Sequence, residues 1–161
     1  MPYTLPRGFY WILFALFIVA NVNVYRAIFA PQVLAVTVLE VGKGDATLLQ
    51  TQTGKTILID TGPDASILRA LGSALPMWQR KIDAVILTSS GARSAGGLPS
   101  LQSRYHISKI IRIGNAVTPY GSYFLFDTSR IEILAPSTFT ISYGTSVFKI
   151  SSSTPKGVYT F

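Results

Sequence analysis

The sequence predicts an α+β domain, a mixed β-sheet with helices on one face, preceded by one transmembrane helix. Three observations carry this reading. An uncharged apolar run, "GFYWILFALFIVANVNVY" (8–25), opens the chain. Beyond it, apolar segments and glycine turns follow the order β-β-β-α-β-α-β, with further short strands after them. The segment "DAVILT" (83–88) is continuously apolar, the pattern of a strand buried on both faces.

The apolar run comes first. Charged residues make up only 13% of the 161 and hydrophobic ones 48%, an excess concentrated at the N-terminus. As a helix, residues 8–25 rise about 27 Å, close to the ~30 Å hydrocarbon core. Tyr3, Phe9, Tyr10 and Trp11 supply interfacial aromatics at one end and Tyr25 at the other, while Asn21 and Asn23 weaken the far end. A membrane anchor competes here with a cleaved signal peptide, which lacks a clean small-x-small site, and with a core helix, which would rarely avoid every charge. The chain divides accordingly into a flank (1–7), an anchor with its juxtamembrane segment (8–30) and a domain (31–161). Arg7 and the terminal amine slightly outweigh Arg26, which places the anchor in the cell membrane as a single pass with the domain on the outer face. The absence of cysteine excludes disulfides and thiolate metal sites.

The domain elements follow in order. "VLAVTVLEV" (33–41) alternates and is β-branched, "TLLQT" (47–51) follows the "GKGDA" turn, and "KTILID" (55–60) follows "QTG". The three form an antiparallel meander. Asp64 or Ser66 can cap a helix through Leu75, with Ile67, Leu68, Leu71 and Leu75 on one face, and Pro76 ends it. After strand 83–88, "GLPSLQSRYHI" suits a short helix carrying His106, and "KIIRI" (109–113) a strand. "YFLF", "RIEILAP", "SVFKISS" and "GVYTF" read as short strands between polar turns.

The strand-to-helix junction "LTSSGARSAGGL" (87–98) has the geometry of an active-site edge and none of its chemistry. It holds no acid, histidine or cysteine. The single histidine, His106, cannot build a His-rich metal centre. Asp45 and Asp60 sit on strand–turn boundaries, where satisfying backbone N–H groups competes with acid–base work. "GKGD" follows no phosphate-loop pattern. Residues 31–161 carry twelve of the 14 Lys and Arg and all seven acids, which favours anionic neighbours, although the charges are dispersed.

Taken together, "LAVTVLEVGKGDATLLQTQTGKTILIDTGPD" (34–64), "LPMWQRKIDAVILT" (75–88) and "GGLPSLQSRY" (96–105) resemble the metallo-β-lactamase-like domain of ComEC-type DNA-uptake (competence) channel proteins. The resemblance implies the N-terminal half of an αββα fold. It also implies a metal motif, H-x-H-x-D-H-x-G-G, whose positions here are Ser89, Gly91, Arg93 and Ser94, with Gly96 and Gly97 kept. Hydroxyls, a bare backbone and a guanidinium do not replace histidine and aspartate ligands, so neither metal nor other cofactor is expected. Asp45, Asp60, Thr88, Gly96 and Gly97 are then structural at the former site, and Arg93 either pairs with Asp60 as a structural substitute or faces solvent. Phe161 stands about where the family's second half begins, so an apolar sheet face is expected to be uncovered and to need a partner chain or self-association. The function implied is a membrane-bound, catalytically inactive homologue acting as a binding or assembly module, with DNA as a possible ligand. Two alternatives stand beside it: a metal-dependent hydrolase or nuclease completed by another chain, and a remnant without function.

Overall fold

The computed structural model describes residues 7–29, 34–126, 129–151 and 154–160, with the side chains of the first helix described over 8–22. The expected boundary at Pro31 lies outside the described residues. Over residues 8–22, helix α1 (Arg7–Phe29) is apolar around its circumference: Trp11, Leu16 and Phe17 fall on different sides of the helix and all are exposed. Asn21 donates its amide to the Phe17 carbonyl (2.8 Å), satisfying itself within the helix. The stretch 8–22 spans about 22 Å. Among the described residues no helix is long and apolar enough to cross a membrane.

The meander forms as the alternation predicts, from β1 (Ala35–Val38), β2 (Thr47–Gln50) and β3 (Thr56–Ile59). Asp64 Oδ1 accepts the Ser66 N–H (2.8 Å) at the start of α2 (Ser66–Ala74), whose N-cap position is Ala65. Next come β4 (Lys81–Ile82), β5 (Ala84–Leu87), α3 (Ala92–Ala95), α4 (Leu98–Arg104), β6 (His106–Ile107) and β7 (Ile110–Arg112). Two expectations change here. The junction read as loop contains the single turn α3. His106 is not helical but sits exposed on β6, because α4 stops at Arg104 and β6 pairs in parallel with β4.

The chain closes with β8 (Tyr123–Phe126), β9 (Ser129–Ala135), β10 (Thr138–Tyr143), β11 (Ser146–Ile150) and β12 (Gly157–Thr160). β12 returns to pair antiparallel with β1, giving a six-stranded mixed sheet ordered β12-β1-β2-β3-β5-β7. β11-β10-β9-β8 form a second, antiparallel sheet.

Alternation along each strand divides the core in two. Leu48, Leu58, Val85 and Leu87 pack under α2 and α4 with Ile67, Leu71 and Leu101. Leu49, Ile57, Ile59, Ala84 and Ile86 turn the other way, onto Ile131, Ile133, Phe139, Ile141 and Ile150 of the second sheet. The expectation of an uncovered face on the first sheet is therefore corrected: the strands after residue 122 fold back over it, and its apolar residues there are fully buried. The outer face of the second sheet carries the rows Lys149–Thr140–Glu132–Tyr123 and Val147–Ser142–Arg130–Leu125, a largely polar surface suited to water. The ground for a partner chain covering the first sheet is removed.

Candidate functional site

β3 and β5 run parallel and end side by side, which brings Asp60 and Thr88 together. Asp60 adopts a left-handed conformation (φ 59°) that turns the chain out of the sheet, while its N–H still donates to the Ile86 carbonyl (2.8 Å). Its carboxylate faces back into the protein. Oδ1 accepts the Thr88 N–H (2.8 Å) and Oδ2 the Thr88 hydroxyl (2.6 Å). The same hydroxyl accepts the N–H of Ser137 (2.9 Å), and the Thr88 carbonyl accepts the hydroxyl of Tyr120 (2.9 Å). One threonine thus ties the first sheet to the β9–β10 turn and to the segment before β8. Burial pushes the Asp60 carboxyl up from 3.8 to about 7, against the pull of the Thr88 hydrogen bonds and with help from the nearby Asp45 charge.

The segment after Thr88 packs over this pair. Ser94 is buried and its carbonyl takes both the N–H (2.7 Å) and the hydroxyl (3.0 Å) of Thr61. Gly96 and Gly97 are there because backbone crosses where a side chain would be. A Cβ on Gly96 would lie 2.1 Å from the Pro63 carbonyl oxygen, and one on Gly97 2.3 Å from that of Thr61. Ser89 folds onto its own turn, its hydroxyl accepting the Gly91 N–H (3.0 Å).

Of the two alternatives for Arg93, the pair with Asp60 is not formed and the residue is exposed. Its Nε donates to the Lys43 carbonyl (3.0 Å), and among the described residues no ion pair joins it to an acid. Thr88 already occupies both Asp60 oxygens, and an exposed guanidinium keeps its hydration by staying at the rim. Asp45 departs from expectation. Its carbonyl accepts the Gly62 N–H (3.1 Å), but its side-chain Oδ2 is buried with no hydrogen-bond partner.

These groups surround a cavity of about 300 Å³ bounded by Lys43, Asp45, Asp60, Arg93, Ser137 and Lys156, among others. Lys43, Arg93 and Lys156 are exposed at its mouth, Lys156 lying 3.6 Å from Glu40. A metal centre does not fit these residues. The Ser89 hydroxyl is engaged with backbone, the buried Ser94 hydroxyl turns to the Asp60 carboxyl, Gly91 has no side chain and Arg93 brings a cation. Among the described residues no group of three or more His, Cys, Asp or Glu gathers as ligands would. Ser137, Tyr120 and Lys156 are not identified from sequence; they reach the site from turns and loops far along the chain and carry no local motif.

No family model and no curated protein matches the sequence. Among solved structures, the chain is similar to a metallo-β-lactamase with a HARLDQ motif from Cronobacter sakazakii, with a TM-score of 0.53 and 14% identity over 74% of this chain and 61% of that one. A mutant of the same protein gives 0.51 and 15% over 75% and 61%. The chain thus spans about 61% of the length of these structures. The likeness is one of fold: a mixed sheet, its helices and a second sheet in the metallo-β-lactamase arrangement.

Proposed function

From this metallo-β-lactamase-like fold, we propose that the chain is a membrane-anchored, catalytically inactive relative of the ComEC-type domain, acting as a binding or assembly module for an anionic ligand, DNA first among them. The observation that carries the reading is Arg93, held by Lys43 over the cavity at a position where the resemblance implies a carboxylate ligand. That exchange turns a cation-binding loop into an anion-facing one. With Asp60 buried and its carboxyl near half-protonated at neutral pH, Lys43, Arg93 and Lys156 outweigh the remaining acids around the cavity. The anchor is α1, supported by its apolar circumference over residues 8–22. Arg7 favours a cytoplasmic N-terminus with the domain outside.

The test is DNA binding across a salt series. Wild-type protein is expected to lose affinity steeply with salt, and Arg93→Ala or Lys43→Ala to reduce the log–log slope by roughly one per phosphate contact removed. Salt-independent binding, or none at low salt, defeats the DNA reading. A second reading rests on the orphaned Asp45 Oδ2, which with Asp60 offers two carboxylates to a cation completed by another chain. Stoichiometric zinc in purified protein, with hydrolysis of a phosphodiester that Asp45→Asn abolishes, would establish that reading in place of the first.

A further inference from the structure

One row of residues marks the end of the six-stranded sheet opposite the cavity. It runs Thr160, Ala35, Gln50, Thr56 across β12, β1, β2 and β3. It continues through Asp83, whose N–H donates to the Thr56 carbonyl (2.8 Å), to Lys109, whose carbonyl accepts the Val85 N–H (2.8 Å). α1 ends at Phe29 and β1 starts in this row at Ala35, so six residue steps, at most about 22 Å, separate the apolar helix from it.

The loop after α2 is fastened to the same row. Gln79 donates its side-chain amide to the Thr56 hydroxyl (2.6 Å) and its N–H to the Pro76 carbonyl (2.9 Å). The second bond closes a β-turn whose central residues are Met77 and Trp78, 83% and 85% exposed. Two of the largest apolar side chains in the domain therefore stand in water at the tip of a hydrogen-bonded turn. Lys55, Arg80, Lys81 and Lys109 are exposed on the segments beside it, Lys81 sharing its charge with Asp83 at 2.9 Å.

We infer that this end of the domain docks on an anionic lipid surface, the Pro76–Gln79 turn setting Met77 and Trp78 at head-group level while Lys55, Arg80 and Lys109 meet the phosphates. The occupant is a bilayer because the chemistry is that of an interface, an amphipathic indole with exposed cations on neighbouring segments, and because β1, the first strand after the apolar helix, starts at this end. The turn is already closed, so little ordering opposes insertion. Docking here would point the cavity, at the other end of the strands, away from the membrane. The inference rests on the reading of α1 as an anchor for where the bilayer lies.

The chain has two tryptophans, so Trp11→Phe in the full chain leaves Trp78 as the only indole. This protein is reconstituted into phosphatidylcholine vesicles with and without phosphatidylglycerol, each also made with brominated acyl chains. Brominated lipid is expected to lower Trp78 emission roughly twofold in the anionic vesicles, and high salt or the Lys55→Ser/Arg80→Ser/Lys109→Ser triple variant to restore it. Unquenched Trp78 in protein that resists alkaline extraction overturns the docking surface while leaving the anchor intact. Equal quenching in vesicles of phosphatidylcholine alone overturns the anionic assignment. Quenching in protein that alkaline washing removes supports the surface and defeats the anchor; loss of both signals overturns both.

Discussion

Where β3 and β5 finish, a carboxylate and a threonine hydroxyl are sealed from water; where the same strands begin, a methionine and a tryptophan stand in it. The first end is held by Thr88, by the close backbone crossing of Gly96 and Gly97 over residues 61–63, and by Ser137 from the β9–β10 turn. The second is held by one turn and one side-chain amide. The contrast teaches that the edge at Asp60 and Thr88 is a structural joint between the two sheets, while the opposite end is expected to change with little effect on folding.

Substitutions at the crossing should show the greatest effect. Gly96→Ala or Gly97→Ala puts a methyl against carbonyl oxygens that belong to backbone and cannot swing aside. Each is expected to cost more than about 3 kcal/mol in urea unfolding or to prevent folding. A loss below about 1 kcal/mol would mean the two segments are free to separate, and the joint would not be one.

Thr88→Val comes next. It keeps the shape but removes the hydroxyl shared by buried Asp60 Oδ2 and the half-buried Ser137 N–H, so each loses that partner. A loss of about 2–4 kcal/mol is expected, and Ser137 amide exchange should quicken with it.

The pH dependence sharpens the same end. Asp60 is raised to about 7, so between its ordinary value and 7 the folded protein holds a proton that the unfolded chain has released. Its contribution to stability is complete below the ordinary carboxyl range and is lost as pH rises through 7. Wild-type stability attributable to this group should therefore fall by on the order of a few kcal/mol between about pH 4 and about pH 8. Asp60→Asn reproduces the protonated carboxyl, one acceptor for the Thr88 N–H and one donor toward its hydroxyl, and should flatten the profile. A variant that titrates like wild type would assign the dependence to another group.

At the other end the smallest change is expected. Trp78→Ala should alter unfolding in water by less than about 0.5 kcal/mol, since an exposed turn residue loses little packing. A loss as large as that of Thr88→Val would erase the distinction between the two ends.

Much of this architecture was legible in the residues. Alternation in "VLAVTVLEV" and the short apolar runs "TLLQ" and "TILI", with glycine turns between, specify strands and their antiparallel pairing, and the unbroken apolarity of "AVIL" specifies a strand covered on both sides. That residues 89–94 hold no acid, histidine or cysteine is read directly, because ligand chemistry belongs to single side chains. His106 was misplaced, since the end of a short helix depends on which strand captures the chain next. Asp60 could be noticed but not understood: its partner Thr88 lies 28 residues on, and the N–H that completes the network 49 residues beyond that.

The sequence by itself determined the strands of the meander, the apolar helix and the lack of acid, histidine or cysteine over residues 89–94, since local pattern and residue type govern each. Only the tertiary structure decided that β8–β11 close over the first sheet, that Arg93 reaches Lys43 rather than Asp60, and that Trp78 shares an end with the start of β1. Those outcomes depend on which distant segments meet, and burial and hydrogen-bond satisfaction settle that across the whole chain at once.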